Sequence, residues 1–105
     1  MSRGYLLGLD GGSSSTKAVI FDTDGNVMGI GRETSRLEHP LAHWVERDMH
    51  AAWASATQAI HAALTAADVD GGDILAIGVT AHGDGLYPLD RKGEPLGHAI
   101  TSLDS

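Results

Sequence analysis

Short apolar runs separated by small and polar residues dominate the first third of the chain. Tyr5-Leu6-Leu7 leads into Gly8 to Lys17, a stretch of mostly glycine and hydroxyl residues. Ala18-Val19-Ile20-Phe21 follows, and Asp22-Thr23-Asp24-Gly25-Asn26 ends it. Apolar and β-branched runs between clusters of turn residues predict strands. These fall at about 5–9, 17–21 and 27–34, the last two joined by the Asp24-Gly25 turn. Gly29 and Gly31 interrupt the third strand, which predicts a bulge or an exposed edge. Leu37 to Glu46, with Pro40 inside it, reads as an irregular connection.

The period then changes. Asp48 has N-cap chemistry, and a helix is predicted from there to about Ala67, ahead of Asp70-Gly71-Gly72. Met49, Ala52, Trp53, Ala56, Ile60, Ala63, Leu64 and Ala67 follow helical spacing, while His50, Gln58, His61 and Thr65 fall elsewhere. Trp53, Ile60 and Leu64 are thereby expected to anchor the helix on the sheet. Ile74 to Thr80 is apolar at both alternating sets of positions, as in a buried parallel strand. A helical crossover of this length returns the chain to the same sheet. The order β-β-β-α-β predicts an α/β fold with a mixed sheet.

The chemistry concentrates between the first two strands. In Asp10-Gly11-Gly12-Ser13-Ser14-Ser15-Thr16-Lys17 a carboxylate closes one strand and a cation opens the next. Glycines allow close backbone approach, and successive N–H and hydroxyl groups form a concavity that suits phosphate oxygens. Lys17 adds a positive charge, and Asp10 is placed to hold Mg²⁺ directly or through water. The spacing is neither that of a Walker A loop nor that of a dinucleotide-binding turn, because a strand follows instead of a helix. The competing reading is an ordinary tight hairpin whose Ser and Gly residues only satisfy turn geometry.

The same loop resembles the first phosphate motif of the FGGY carbohydrate kinases, members of the actin/hexokinase/Hsp70 ATPase superfamily. Ser13 and Ser14 stand where threonines are commoner, and Phe21-Asp22-Thr23-Asp24-Gly25-Asn26-Val27 continues the match. His43-Trp44-Val45-Glu46-Arg47-Asp48 resembles the family's Gly-Trp-Val-Glu-Gln-Asp-Pro stretch. Ile77-Gly78-Val79-Thr80-Ala81-His82-Gly83-Asp84-Gly85 is similar to its Ile-Gly-Ile-Ser-Gly-Gln-Met-His-Gly. Leu89-Asp90-Arg91-Lys92-Gly93-Glu94-Pro95-Leu96 resembles its hairpin, and Asp104 its Trp-x-Asp-x-Arg aspartate.

That resemblance implies an actin-like (ribonuclease H-like) ATPase domain. Residues 1–105 would be the N-terminal part of the first of two such domains, truncated in mid-motif, with the second domain absent. It implies transfer of the γ-phosphoryl of ATP, with Mg²⁺, to a hydroxyl of a sugar or polyol. The wording around Thr80 to Tyr87 is closest to L-xylulose and erythritol kinases, so a pentulose or tetritol is the expected acceptor. Gly11, Gly12, Ser13, Ser14 and Lys17 would bind the nucleotide phosphates, Asp10 the metal, and His82, Gly83, Asp84 and Asp104 the sugar. His82 replaces a family Gln and Asp84 a family His, so the sugar loop departs from the xylulose kinase pattern. The general base is expected beyond Ser105, and the fragment alone is expected to be inactive. Its cut sheet edge would make it self-associating or marginally stable. Another actin-like ATPase and a non-catalytic binding module are the alternatives.

Composition narrows the classes further. A formal charge of −7 disfavours nucleic-acid binding, and the absence of cysteine removes disulfides and thiolate metal sites. The apolar run near the N-terminus is too short for a membrane span or a signal peptide. A cytoplasmic enzyme with a small-molecule partner is expected, and a homodimer is compatible. His39 and His43 have helical metal-ligand spacing, but Pro40 between them argues against a helix there. Adjacent Arg32 and Glu33 read as a paired surface Arg and Glu, and Trp44 as a packing residue.

Overall fold

Strand alternation and a glycine-lined helix seat organise the molecule. The computed structural model describes residues 4–12, 15–34, 37–41, 44–81 and 86–100. The elements are β1 (Tyr5–Gly11), β2 (Ser15–Asp22), β3 (Val27–Thr34), β4 (Leu37–Leu41), β5 (Trp44–Arg47), α1 (Met49–Ala67), β6 (Ile74–Ala81) and β7 (Ala99–Ile100). A four-stranded sheet runs β3-β2-β1-β6, and a three-stranded one β4-β5-β7. β2 is antiparallel to both β1 and β3, whereas β6 is parallel to β1, so the larger sheet is mixed. The predicted β-β-β-α-β order is present.

Where an irregular connection was expected over 37–46, the described residues form the two strands β4 and β5. β4 and β5 form an antiparallel pair whose register shifts between Glu38 and Leu41. Pro40 falls inside that irregular stretch, on the edge strand of its sheet, where a missing N–H breaks no regular ladder. β3 shows both features its glycines suggested. It is an edge strand, and its register with β2 shifts between Ile20 and Phe21, leaving Met28 without a partner.

The glycines of β3 have a second role that the alternation pattern does not reveal. A Cβ built on Gly29 would lie 2.6 Å from the Ala67 nitrogen and 2.7 Å from the Ala63 carbonyl oxygen. One built on Gly31 would collide with the Ala59 carbonyl. Helix and strand therefore meet backbone to backbone. Leu7, Ala18, Ile20, Ala59 and Ala63 form the buried core, with Leu9, Ile60 and Leu64 packed against it.

This close contact corrects the expected helix face. Trp53 is 74% exposed and anchors nothing in the core. Six residues at 100° each place it about 120° around the helix from Ala59. Where backbones touch, the smallest side chains occupy the contact line and larger ones flank it, so Ile60 and Leu64 are only half-buried. β6 lies at the edge of the larger sheet, as the cut-edge expectation had it, but it is not buried on both faces: Leu75, Ile77 and Val79 are exposed.

Local hydrogen bonds terminate the elements. The Asp48 carboxylate accepts from the backbone N–H of His50 at 2.9 Å and of Ala51 at 3.4 Å, capping α1. At the other end Asp68 adopts the left-handed conformation (φ 54°). Its N–H donates to the Thr65 carbonyl at 3.2 Å, and that of Val69 to the Leu64 carbonyl at 3.1 Å, a Schellman arrangement. The β2–β3 turn is held by one side chain. Asp22 Oδ1 accepts from the N–H of Asp24 at 3.0 Å and of Asn26 at 2.8 Å, while Oδ2 accepts from the Asn26 amide at 2.9 Å. Asp90 repeats the backbone part of this pattern, accepting from Lys92 at 2.8 Å and Glu94 at 3.0 Å. Gly25 (φ 89°) and Gly93 (φ 83°) occupy the same left-handed position in the two turns.

Two outcomes follow. Gly31→Ala should destabilise the fold by about 1–3 kcal/mol through overpacking. Gly78→Ala, where a Cβ meets nothing within 4 Å, should stay within about 0.5 kcal/mol of the parent; urea titration measures both. Hydrogen bonds from the Asn26 side chain, then from backbone N–H groups, hold the Asp22 carboxyl below the usual carboxylate range. Because the folded value is depressed, this contribution is present above the unfolded value of about 3.9 and fades as pH falls through the folded value. NMR titration should find the Asp22 carboxyl protonating below the usual carboxylate range, and Asp22→Asn should flatten the acid limb of stability.

Candidate functional site

The two-residue repeat of a strand decides which side chains can meet at the end of the larger sheet. Across the β1–β2 hairpin Asp10 faces Lys17 and Gly11 faces Thr16. On the other side of β1, Asp10 is level with Thr80 and Gly11 with Ala81. Lys17 and Thr16 are in turn opposite Arg32 and Glu33 of β3. Register partners project to the same side. Thr80, Asp10, Lys17 and Arg32 thus form a row on one face. Ala81, Gly11, Thr16 and Glu33 share the other face with Leu7, Ile20 and α1.

This alternation separates two environments. Thr16 is buried at 5% exposure beneath the helix side, while Asp10 and Arg32 are exposed and Lys17 partly so on the open side. The expected pairing of Arg32 with Glu33 fails for the same reason: neighbours on one strand point to opposite faces. Arg32 instead belongs to the row that holds Lys17 and Asp10, a placement that the composition of the segment alone does not disclose.

At the hairpin turn, a Cβ on Gly12 would sit 2.9 Å from the Ser15 carbonyl oxygen, so the backbone closes on itself there. Gly11 is less constrained, its Cβ position lying 3.7 Å from that of Ala81. Asp10, Gly11, Gly12 and Lys17 are brought together at one sheet end. Ser13, Ser14, His82, Gly83, Asp84 and Asp104 lie outside the described residues. Ala81, the residue before His82, is nevertheless the register partner of Gly11.

Asp10 suits a hydrated Mg²⁺, which takes one or two carboxylates and completes its shell with water and phosphate oxygens. Among the described residues no group of three or more His, Cys, Asp or Glu side chains is placed for a metal. His50 and His61 are exposed on α1, and the backbone around His39 is strand rather than helix. One feature the sequence reading missed is a groove of about 370 Å³ on the helix side of the hairpin, walled by Leu9, Gly11, Thr16, Ala56, Val79 and Tyr87. The small residues Ala52 and Ala56 on α1, which help line it, were its available signal.

The sequence pattern of the N-terminal domain of the FGGY family of carbohydrate kinases matches residues 5–105. The chain belongs to the FGGY family. It is 42% identical over 100 residues to an L-xylulose/3-keto-L-gulonate kinase of Escherichia coli, a match covering 95% of this chain and 20% of that protein. A glycerol kinase of Rhizobium rhizogenes is 36% identical over 102 residues, covering 96% of this chain and 20% of its own length. Among solved structures, a xylulose kinase from Rhodospirillum rubrum superposes with a TM-score of 0.84 at 26% identity, over 96% of this chain and 21% of that one. A gluconate kinase from Lactobacillus acidophilus gives a TM-score of 0.87 at 25% identity, over 98% of this chain and 20% of that one. The fold is accordingly that of the actin-like ATPases to which these sugar kinases belong. This FGGY chain spans about one fifth of the length of the relatives it matches. Among the described residues, no helix is long and apolar enough to cross a membrane.

The Gly12 contact yields a paired test of the hairpin. Gly12→Ala should displace the turn and cost about 1–3 kcal/mol, whereas Gly11→Ala should leave the fold intact. Amide chemical shifts of residues 9–18, with melting temperatures, distinguish the two.

Proposed function

We propose that this FGGY domain supplies the phosphate hairpin and part of the acceptor site of an ATP-dependent kinase acting on a sugar or polyol. In this reading residues 1–105 are the N-terminal part of the first of two actin-like domains. The observation that carries the reading is the row in which Asp10 and Lys17 face each other across the hairpin, level with Thr80 at the end of β6. Catalytic and binding residues of α/β sheets gather at the carboxyl ends of parallel strands. β1 and β6 end side by side here, the first leading into the glycine turn and the second into His82.

Phosphoryl transfer asks the protein mainly for positioning and charge stabilisation. Lys17 meets the phosphate oxygens with a full positive charge, and the Gly11, Gly12, Ser13 and Ser14 segment offers N–H and hydroxyl donors to the same oxygens. Asp10 would hold a Mg²⁺ accompanying the nucleotide, and that cation would offset the charge of the phosphates. His82, Gly83, Asp84 and Asp104 orient the acceptor, Asp84 accepting from sugar hydroxyls and His82 exchanging one hydrogen bond. The acceptor oxygen attacks the γ-phosphorus, ADP leaves, and a carboxylate beyond Ser105 takes the proton. Relatives named as L-xylulose/3-keto-L-gulonate, glycerol and gluconate kinases support an acceptor rich in hydroxyls, and a pentulose or tetritol is our specific choice.

The full-length protein, given ATP, Mg²⁺ and a panel of pentuloses, tetritols, glycerol and gluconate, should release ADP only with an acceptor present. Lys17→Ala should lower kcat/KM by about 10²–10³, the cost of one preorganised charge-stabilising donor. Residues 1–105 alone should show no turnover. ATP hydrolysis indifferent to every acceptor would instead identify a different actin-like ATPase.

A further inference from the structure

One member of the row at the sheet end has no role in the reading above. Arg32 lies directly opposite Lys17, on the face turned away from α1, and its side chain is exposed. Cβ atoms of such partners are about 5 Å apart, and like charges in that relation weaken a sheet. Counting along the face, the nearest positions on the three strands are Gly8, Asp10 and Gly12, then Ser15, Lys17 and Val19, then Ile30, Arg32 and Thr34. Among these, two cations stand against the one carboxylate of Asp10, which is beside Lys17 and one strand further from Arg32. Among the described residues no strand continues the sheet beyond β3.

We infer that Arg32 is a second cation of the phosphate hairpin, sharing with Lys17 the anionic oxygens of a nucleoside polyphosphate. The inference rests on the kinase reading and deepens it. Two unbalanced cations side by side at the mouth of a glycine turn are stabilised when an anion bridges them. The guanidinium adds what an ammonium lacks, a planar fork that engages two oxygens at once. The placement also explains why an edge strand with two core glycines carries a long cationic residue beside the hairpin. Gly31 seats the helix on one face, and its neighbour Arg32 is thereby turned to the other.

The experiment measures ADP and Mg-ATP affinity of the full-length protein by calorimetry, with KM for each substrate. Arg32→Gln, which keeps much of the stem and removes the charge, should weaken nucleotide binding about tenfold, the worth of one charged hydrogen bond. It should raise KM for ATP but not for the acceptor, and leave the melting temperature of the nucleotide-free protein equal or slightly higher, since the repulsion of Lys17 is relieved. Arg32→Lys, which restores the charge without the fork, should recover part of the loss, and the salt dependence of ADP binding should be shallower in Arg32→Gln. Arg91→Gln removes one positive charge from an exposed turn and should leave affinity unaltered. Unchanged affinity in Arg32→Gln while Lys17→Ala loses binding would overturn the role of Arg32 and leave the phosphate hairpin standing. Unchanged affinity in both variants would overturn the hairpin reading itself. An affinity loss that tracks lowered stability and is not recovered by lysine would reduce Arg32 to a strut. An equal loss in Arg91→Gln would reduce the effect to net charge; either result refutes the inference.

Discussion

The backbone contact between α1 and β3 is the constraint from which the rest of the structure follows. Gly29 and Gly31 leave room for the carbonyls of Ala63 and Ala59, and no larger residue fits at either glycine without moving the helix. Because α1 is drawn over β3 and β2, the helix-side face of β6 stays uncovered and Val79 remains open beside the groove under the hairpin. The same seat assigns the two faces of β2. Residues in phase with Ala18 and Ile20 go into the core, and those in phase with Lys17 and Val19 go to the side free of α1. The placement of the candidate cations is thus a by-product of how closely a helix can approach a strand.

Much of this was readable because some signals are local. A carboxylate before a helical period marks an N-cap wherever it occurs, and Asp48 caps α1. The hairpin was readable from its glycines and hydroxyl residues, and its strand partners from short apolar runs. Elements whose character depends on distant neighbours were harder. Trp53 satisfies helical spacing as well as Ala59 does, and only the depth of packing shows that the alanine lies on the contact line. A proline-bearing segment such as 37–41 looks irregular until its partner strand β5 is known.

Arg32 and Glu33 show a subtler loss. Adjacent opposite charges invite a pairing, whereas a strand forbids it by turning them apart. Register, a three-dimensional quantity, regroups Arg32 with Lys17 from another strand. Conversely, Thr16 looks like one more hydroxyl of a phosphate loop, yet the pleat puts it beneath α1 and its neighbour Lys17 outside. Consecutive residues of one motif are divided between an apolar interior and an aqueous surface, and membership of the motif does not reveal on which side each falls.

The Asp22 turn bears on the order in which these contacts form. All its bonds lie within five residues, from Asp22 to Asn26, so it needs no partner from elsewhere in the polypeptide. Hairpins of this kind close in about 1–10 μs. The parallel pairing of β1 with β6 must instead span the chain from Tyr5 to Ile74, and such long closures are slow. On a growing nascent chain the β2–β3 ribbon is therefore available while Ile74 is still unsynthesised. The alignment of Lys17 with Arg32 thus rests on a short-range pairing that does not require β6.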